Sequence, residues 1–250
     1  YRDAGNSNYG TAVVGTVSGT SISFGTPAVY NTANVYYVSA TYDSTNEKVV
    51  IVYRDTSNSN YGTARVGTVS GTSISFGSAT VFESASTGYH SAVYDSANGK
   101  VVIAYRDNGN SEYGTAVVGT VSGTSISFGT PVVYESASID YASATYDSTN
   151  EKVVIAYRDA GNSNYGTAIV GTVSGTSISF GSPVVFNSGT TLYTYAAYDS
   201  NAQKVVIAYR DDGNSSYTTV VVGTVSGTSI SFGSETVVES TNSAHQTLTF

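Results

Sequence analysis

The sequence predicts an all-β fold, a five-bladed β-propeller of four-stranded antiparallel blades, and three observations support this prediction. The twelve residues VGTVSGTSISFG recur without change, beginning at Val14, Val66, Val118, Val170 and Val222. A YRD triplet recurs with them, and every step between copies is 52 residues. Within each copy, runs rich in Val, Ile and Thr alternate with Gly, Ser and Asn, as strands alternate with turns. A β-rich repeat of this length is typical of propeller blades and not of helical solenoids.

The repeats define a single domain. Blades of a repeat protein share one continuous core, so we assign residues 1–250 to one propeller although length alone allows two domains. The repeats cover residues 1–52, 53–104, 105–156, 157–208 and 209–250. Tyr1 falls within a second strand, and residues 243–250 supply an innermost strand. These two segments are predicted to share one blade and so to close the ring.

The composition excludes several classes of function. The sequence has no cysteine, methionine or tryptophan, which excludes a disulfide framework, thiol chemistry and a cysteine metal site. The net charge is −8 and the 10 lysines and arginines are dispersed, so we expect no nucleic-acid partner. No apolar window has the length of a membrane span, so we expect no membrane insertion.

The order of the strands in a blade follows from the lengths of their connections. KVVIVYRD, at residues 48–55, is a continuous apolar run typical of a strand buried on both faces. We place SATY innermost, KVVIAY second, YGTAVVGTV third and SISFGTPAVY outermost. Returning from the outermost to the innermost strand crosses about 14 Å. The variable segment that follows, at residues 31–37 and 83–89, is therefore predicted to be a connecting loop, and Gly25 is predicted to form a bulge.

One face of the predicted ring gathers the YRD and GNS motifs and the variable segments. Aromatic rings and planar polar groups suit sugars, and weak sites gain from repetition. We interpret this face as a ring of shallow carbohydrate pockets, one in each blade. The candidate ligand-binding residues are Tyr37, Tyr89, Tyr141, Tyr193, His245, Arg54, Asp55, Arg106, Asp107, Arg158, Asp159, Asn110 and Asn162.

A structural interpretation of the same residues is also open. In it the tyrosine packs between blades, the arginine pairs with a carboxylate of the next blade, and GNS forms an Asx-type turn. The two histidines, His90 and His245, lack the spacing of a metal site and are expected at the surface. No cofactor and no metal site are predicted, although the oxygen-rich Asp-x-Gly-Asn-Ser loops leave calcium open as a ligand.

The carboxylates do not indicate catalysis. Hydrolysis of a glycoside needs two carboxylates in different environments across a cleft, and the sequence distinguishes no such pair. We therefore expect no enzyme, and a glycosidase with Asp140 and Glu135 as candidate acids is the third alternative. Asn214 begins the one N-glycosylation acceptor sequence.

The KVVIAYRD, GNSxYGTA and VGTVSGTSISFG units resemble the repeat-rich β-propeller segments of secreted bacterial proteins and of phage tail or surface proteins. This resemblance covers the full chain and implies an extracellular location or one at the surface of a cell or virion. Five-bladed lectins of the tachylectin type are similar in architecture only, with one site per blade.

Two non-enzymatic functions are therefore predicted. The first is an extracellular binding or adhesion module that recognises glycans or cell-surface polysaccharide through several related sites. The alternative is a structural subunit of an extracellular fibre or sheath, with or without a glycan coat. Such a subunit would self-assemble through its outer blade strands, since edge strands invite lateral pairing.

Overall fold

The structure, a computed structural model, describes residues 1–242 and 247–249. The protein is all-β in these residues, as predicted, and its repeats appear as repeated sets of antiparallel strands. Two short 3-10 helices lie in the loops after YRD, at Ala160–Asn162 and Asp212–Asn214.

The strands follow the repeat along the chain. The first nine are β1 (Arg2–Asp3), β2 (Tyr9–Ala12), β3 (Gly15–Ser18), β4 (Ser21–Phe24), β5 (Ala28–Asp43), β6 (Lys48–Asp55), β7 (Tyr61–Ser70), β8 (Ser73–Phe76) and β9 (Thr80–Asp95). The next twelve are β10 (Lys100–Asp107), β11 (Tyr113–Ser122), β12 (Ser125–Phe128), β13 (Val132–Asp147), β14 (Lys152–Asp159), β15 (Tyr165–Ser174), β16 (Ser177–Phe180), β17 (Val184–Asp199), β18 (Lys204–Asp211), β19 (Tyr217–Ser226), β20 (Ser229–Phe232) and β21 (Thr236–Glu239).

Antiparallel pairing confirms the predicted strand order from the innermost strand outwards. The second half of β9 pairs with β10, β10 pairs with β11, and the end of β11 pairs with β12. We call such a set of four a unit. The second strand is buried on both faces, as its continuous apolar run predicts: Val102, Ile103 and Ala104 are all fully buried.

The variable segments predicted as loops are instead parts of long strands. β5, β9, β13 and β17 have 16 residues each. The first half of β9 pairs with β7 of the preceding unit, and its second half pairs with β10 of its own unit. An extended chain advances about 3.3 Å per residue, so one strand covers the distance from the outer wall to the centre with its backbone hydrogen-bonded. We predicted one outermost strand in each blade. In the structure two strands lie there: a short strand such as β12 and the first half of the following long strand, here β13.

The strand pairing is open and does not close into a ring. Nineteen strands form one sheet, and β3 and β4 form a separate pair. In residues 1–242 and 247–249, β1 pairs only with β2 and β21 only with β19. The predicted closure by shared terminal strands is wrong in this respect, because the long strands join the units into a continuous sheet and β1 has only 2 residues to pair. Most of the predicted closing segment, residues 243–246 and 250, lies outside the described residues.

The hydrophobic core lies between consecutive units. One cluster joins Val50 and Val52 of β6 to Val101 and Ile103 of β10, and all four side chains are fully buried. Ile126 of the short outer strand β12 packs into the same cluster. The arrangement recurs between β10 and β14 and between β14 and β18. Each unit therefore covers an apolar face of the unit before it.

The inner halves of the four long strands line a cavity of about 390 Å³. Ser39 Oγ accepts a hydrogen bond from Ala92 N at 3.1 Å, and the equivalent bond recurs between the next two pairs of inner strands. Small side chains from all four strands line the cavity, among them Ala40, Ala92, Ala144 and Ala196.

A glycine follows each short outer strand, and in four of the five copies it lets the next unit approach closely. A Cβ at Gly129 would lie 1.9 Å from the carbonyl oxygen of Thr176, which belongs to a turn of the next unit. Gly25 makes the same approach, and it follows the end of β4 instead of forming the predicted bulge. At Gly233 the nearest atom is Val222 O at 3.8 Å, because no turn of a further unit packs there in the described part of the chain.

Replacing Gly129 by Ala is expected to lower the free energy of unfolding by about 2 kcal/mol or more, because the methyl group overlaps a backbone oxygen of the next unit. Gly233→Ala is the matched control and is expected to change it by less than about 0.5 kcal/mol. Urea denaturation followed by circular dichroism measures both values. Equal losses in the two variants would contradict the contact between units.

Candidate functional site

The recurrent tyrosines lie at bulges in the long strands. Opposite Tyr105, β9 carries two residues, Tyr89 and His90, so the pairing register shifts. All four tyrosines have the left-handed backbone conformation, which is an outlier at a bulky residue and costs about 1–3 kcal/mol. Because it recurs in every long strand, the surrounding strands must hold the backbone in this conformation. The φ angles are 50°, 51°, 53° and 51° at Tyr37, Tyr89, Tyr141 and Tyr193.

The four tyrosines pack against one another in a continuous row, which we call the tyrosine row. Successive ring centroids are 5.0, 5.2 and 4.9 Å apart, from Tyr37 through Tyr89 and Tyr141 to Tyr193. Each side chain is half-buried, so part of every ring stays accessible. Burial raises the pKa of Tyr89 and of Tyr141, which keeps their hydroxyls protonated and able to donate a hydrogen bond. The four rings thus form one continuous aromatic surface.

The arginines of the YRD motif lie over the tyrosine row. Their guanidinium groups are within the range of cation–π contacts, which favour a cation over the ring face. The distances from guanidinium carbon to ring centroid are 4.9 Å for Arg54 and Tyr37, 4.9 Å for Arg106 and Tyr89, 5.4 Å for Arg158 and Tyr141, and 5.2 Å for Arg210 and Tyr193.

Three of these arginines bind carboxylates. Asp140 is buried, and its Oδ1 accepts from Arg106 Nη1 at 2.6 Å. Arg158 Nη2 donates to the other oxygen of the same carboxylate. Arg210 Nε donates to Asp212 at 2.7 Å. The structural interpretation of the arginine, a salt bridge to the next unit, therefore holds for Arg106.

The arginines around Tyr36 differ, and we call Arg2, Tyr36 and Arg54 the Arg54 cluster. The guanidinium carbons of Arg2 and Arg54 each lie 4.8 Å from the centroid of Tyr36. Nε of Arg54 is buried without a hydrogen-bond partner. Neither arginine has a carboxylate within salt-bridge distance among residues 1–242 and 247–249. The cluster therefore carries positive charge that no described acid neutralises.

The aspartates of the YRD motif hold the loops that follow them. Asp107 Oδ1 accepts from two backbone amides of its loop, at 2.9 and 3.1 Å, which is the geometry of an Asx turn. Asp55 and Asp159 make equivalent bonds, and all three carboxylates are buried. Their contacts match the structural interpretation, whereas the side chains of Asn110 and Asn162 are exposed on the loops.

The two candidate acids of a glycosidase have different surroundings. Tyr157 Oη donates a hydrogen bond to Glu135 at 3.1 Å. Burial, and next the charge of Asp159, raises the pKa of Glu135. A raised carboxyl pKa is one property of a general acid. Asp140, however, is bound by two guanidinium groups, which occupies both of its oxygens.

His90 is buried and does not lie at the surface as predicted. Its Nδ1 is 3.0 Å from the carbonyl oxygen of Tyr37, and its Nε2 is 2.8 Å from Thr87 Oγ1. Because a carbonyl oxygen only accepts, Nδ1 carries the proton and Nε2 accepts from the threonine hydroxyl. Burial lowers the pKa of His90 to about 3, so the ring is neutral.

The remaining predictions concern His245, Asn214, a metal site and membrane insertion. His245 lies outside the described residues, and Asn214 is exposed at the end of the second 3-10 helix. Within residues 1–242 and 247–249, no group of three or more His, Cys, Asp or Glu side chains is placed to hold a metal ion. None of the helices in this part has the length and apolar character needed to cross a membrane.

The candidate list lacks four members of this site: Arg2, Tyr36, Asp140 and Arg210. Tyr36 and Asp140 share one repeat position, directly before the recurrent tyrosine and opposite a YRD arginine. The available signal was variability, because this position changes in every described repeat of an otherwise nearly constant sequence. The residues there are Tyr36, Gly88, Asp140 and Leu192.

Comparison with known proteins assigns no family to this geometry. The chain matches no protein-family model and has no match among the curated proteins. A functional conclusion therefore rests on the site itself.

Between about pH 6.5 and 3, His90 is expected to lower the stability of the protein as the pH falls. The unfolded chain binds a proton near pH 6.5, whereas the folded state binds it only near pH 3. Each pH unit in this window therefore costs about 1.4 kcal/mol of unfolding free energy. His90→Thr, which places there the residue found at the equivalent Thr194, should remove this slope.

Denaturant titrations of the protein and of His90→Thr at several pH values measure this effect. The difference between the two isolates His90 from the carboxylates, which titrate in both. A difference that stays constant with pH would contradict a buried neutral imidazole.

Proposed function

We propose that the protein is a non-enzymatic binding module that recognises acidic carbohydrate through the tyrosine row and the arginines above it. The observation that carries this proposal is the unbroken row of four half-buried rings, each with a guanidinium group over it. Aromatic faces pack against the apolar faces of sugar rings, and guanidinium forks bind carboxylates at two points.

The continuity of the tyrosine row favours a polymer over a single sugar. Its rings succeed one another at about 5 Å around the axis. A polysaccharide or a dense glycan surface engages several such positions together, so weak contacts at each sum to a useful avidity. Glycans or cell-surface polysaccharide are therefore the proposed partners, and no cofactor is part of the proposal.

The Arg54 cluster supports a preference for acidic sugars. The protein as a whole carries a net charge of −8, so its overall charge does not attract an anionic ligand. At the cluster, however, two guanidinium groups flank Tyr36 without an acid to neutralise them in the described residues. A carboxylate bound there would accept charge-assisted hydrogen bonds from these guanidinium groups.

The proposal includes the arrangement and location of the molecule. Five units around one axis are supported by a second cavity, where Leu248 and Thr249 lie beside the four inner strands. In the proposed arrangement they belong to the inner strand of a fifth unit. A location outside the cell, or at the surface of a cell or virion, is supported by the resemblance of the repeat units to secreted propeller segments.

A glycan array is expected to show binding of the full chain to carboxylated glycans, with weaker binding at high salt. Arg54→Gln is expected to weaken that binding by about tenfold or more, because it removes a charge-assisted contact. Arg65→Gln is the control, since Arg65 lies outside the tyrosine row and its Nη1 donates to the carbonyl oxygen of Gly77. An array that stays blank at high protein concentration, with both variants folded, would contradict the proposal.

The two ends of the open sheet favour a second candidate, a structural subunit of an extracellular fibre or sheath. Val222 is 44% exposed, whereas the equivalent Val170 is fully buried by the next unit. At the other end, Phe24 is 64% exposed. Apolar faces of this kind mark association surfaces, and end-to-end contact of two chains would cover both.

In this second function the protein is expected to form oligomers whose mass rises with concentration, because burial of the two apolar ends drives association. Val222→Asp should shift the population towards monomer, since it places a charge in the contact. Light scattering over a concentration series measures both. A strictly monomeric species at high concentration would exclude assembly through these ends.

A further inference from the structure

We propose that the residue two places after a YRD arginine determines whether that arginine can bind an anionic ligand. An acid at this place closes the arginine to the ligand, and a neutral side chain that does not reach the arginine leaves it open. The inference rests on the proposed function, because it names the residue that selects between acidic and neutral sugars at the tyrosine row. In the second to fifth repeats the residues at this place are Thr56, Asn108, Ala160 and Asp212.

The strand geometry brings this residue to its arginine. The arginine is the last residue but one of its strand, and side chains two residues apart point to the same face. In the fifth repeat Arg210 donates to both oxygens of Asp212, from Nε at 2.7 Å and from Nη2 at 3.1 Å. In the third repeat Arg106 Nε donates to Asn108 Oδ1 at 2.9 Å. The two-point pair of the fifth repeat occupies the guanidinium fork that a sugar carboxylate would bind.

Thr56 lies at the same place without a hydrogen bond to Nε of its arginine. Its backbone amide donates to Asn34 O at 3.3 Å. One repeat later the amide of Asn108 donates to Ser86 O at 3.0 Å, so the two backbones are equivalent here. The threonine hydroxyl donates to Asn34 O at 2.8 Å, and Nε of Arg54 has no partner. An aspartate in place of this threonine would therefore reach Arg54 as Asn108 reaches its own arginine.

The other neighbours of the arginines complete the pattern. Asp140 binds the arginines of the third and fourth repeats, so the alanine that follows the fourth does not leave that arginine unpaired. The places equivalent to Asp140 on either side of Arg54 hold Tyr36 and Gly88, which carry no charge. Within residues 1–242 and 247–249, Arg54 is the only YRD arginine of the second to fifth repeats without a salt bridge. Its charge therefore depends on the residue at 56.

The test is a calorimetric titration of the full chain with an oligosaccharide of galacturonic acid and with its uncharged methyl ester. Thr56→Asp is expected to weaken binding of the acid by about tenfold or more, because its carboxylate competes for Arg54. Asn58→Asp is the matched control, since it adds the same charge at an exposed place in the same loop. It is expected to change the affinity for the acid by less than about threefold. The affinity for the ester should not depend on the charge at 56.

Asp212→Thr is the reverse change and tests the same place in another repeat. It removes the carboxylate that binds Arg210 and is expected to tighten binding of the acid by about threefold or more. Inorganic sulfate is a second probe, because it needs a guanidinium group but no sugar site. In a sulfate titration followed by the arginine Nε–H signals in NMR spectra, we expect Arg54 to shift in the unaltered chain. Arg210 should shift only in Asp212→Thr.

The outcomes separate this proposal from the proposed function. If a folded Thr56→Asp binds the acid as tightly as the unaltered chain, or if Asp212→Thr gains no affinity for acid or sulfate, the residue at this place does not select the ligand and the proposal is overturned. A sulfate shift of Arg210 in the unaltered chain would also overturn it. If the unaltered chain binds no acidic sugar but sulfate shifts the two arginines as expected, the proposed function fails and the role of this residue stands.

Discussion

The covering of each unit's apolar face by the next unit is the interaction on which this structure depends. A four-stranded unit with Val and Ile on both faces of its second strand has no core of its own. It becomes stable only when those faces are removed from water, at about 25 cal/mol for each Å² buried. The contrast between Val170, fully buried, and Val222, 44% exposed, shows the effect of having or lacking that neighbour in an identical sequence. The glycine at each contact is a consequence of the same requirement.

Much of the fold could be predicted because its strongest signals are local. A continuous apolar run such as residues 48–55 has few interpretations other than a fully buried strand, and connection lengths order its neighbours. The variable segments, such as residues 83–89, are predicted as loops because the chain has to cross about 14 Å from the outermost to the innermost strand and they are long enough for it. They form strands because partners are present on both edges, and that is a property of the assembled sheet that no single segment carries.

The candidate site was less accessible to sequence reasoning, and the bulges explain why. A tyrosine at positive φ has no local sequence signature, since glycine and asparagine are the residues that usually occupy that region. The bulge also turns the following residue towards the neighbouring unit, so His90 is buried although a lone histidine is usually exposed. The scaffold around the tyrosine row is constant, and the residue before each tyrosine sets the local charge. Asp140 neutralises two arginines, whereas Tyr36 leaves its pair positive.

The long strands also determine how the molecule can come apart. Each one is the outer edge of one unit and the centre of the next, so a break in its backbone hydrogen bonds loosens two units at once. In a repeat protein, the free energy of unfolding is the sum of contributions from each repeat and from the interfaces between neighbouring repeats. A strand that belongs to two units increases the share that comes from the interfaces. Opening should therefore begin at β1 or β21 and advance by whole units, and an interior repeat should not melt while its neighbours stay folded.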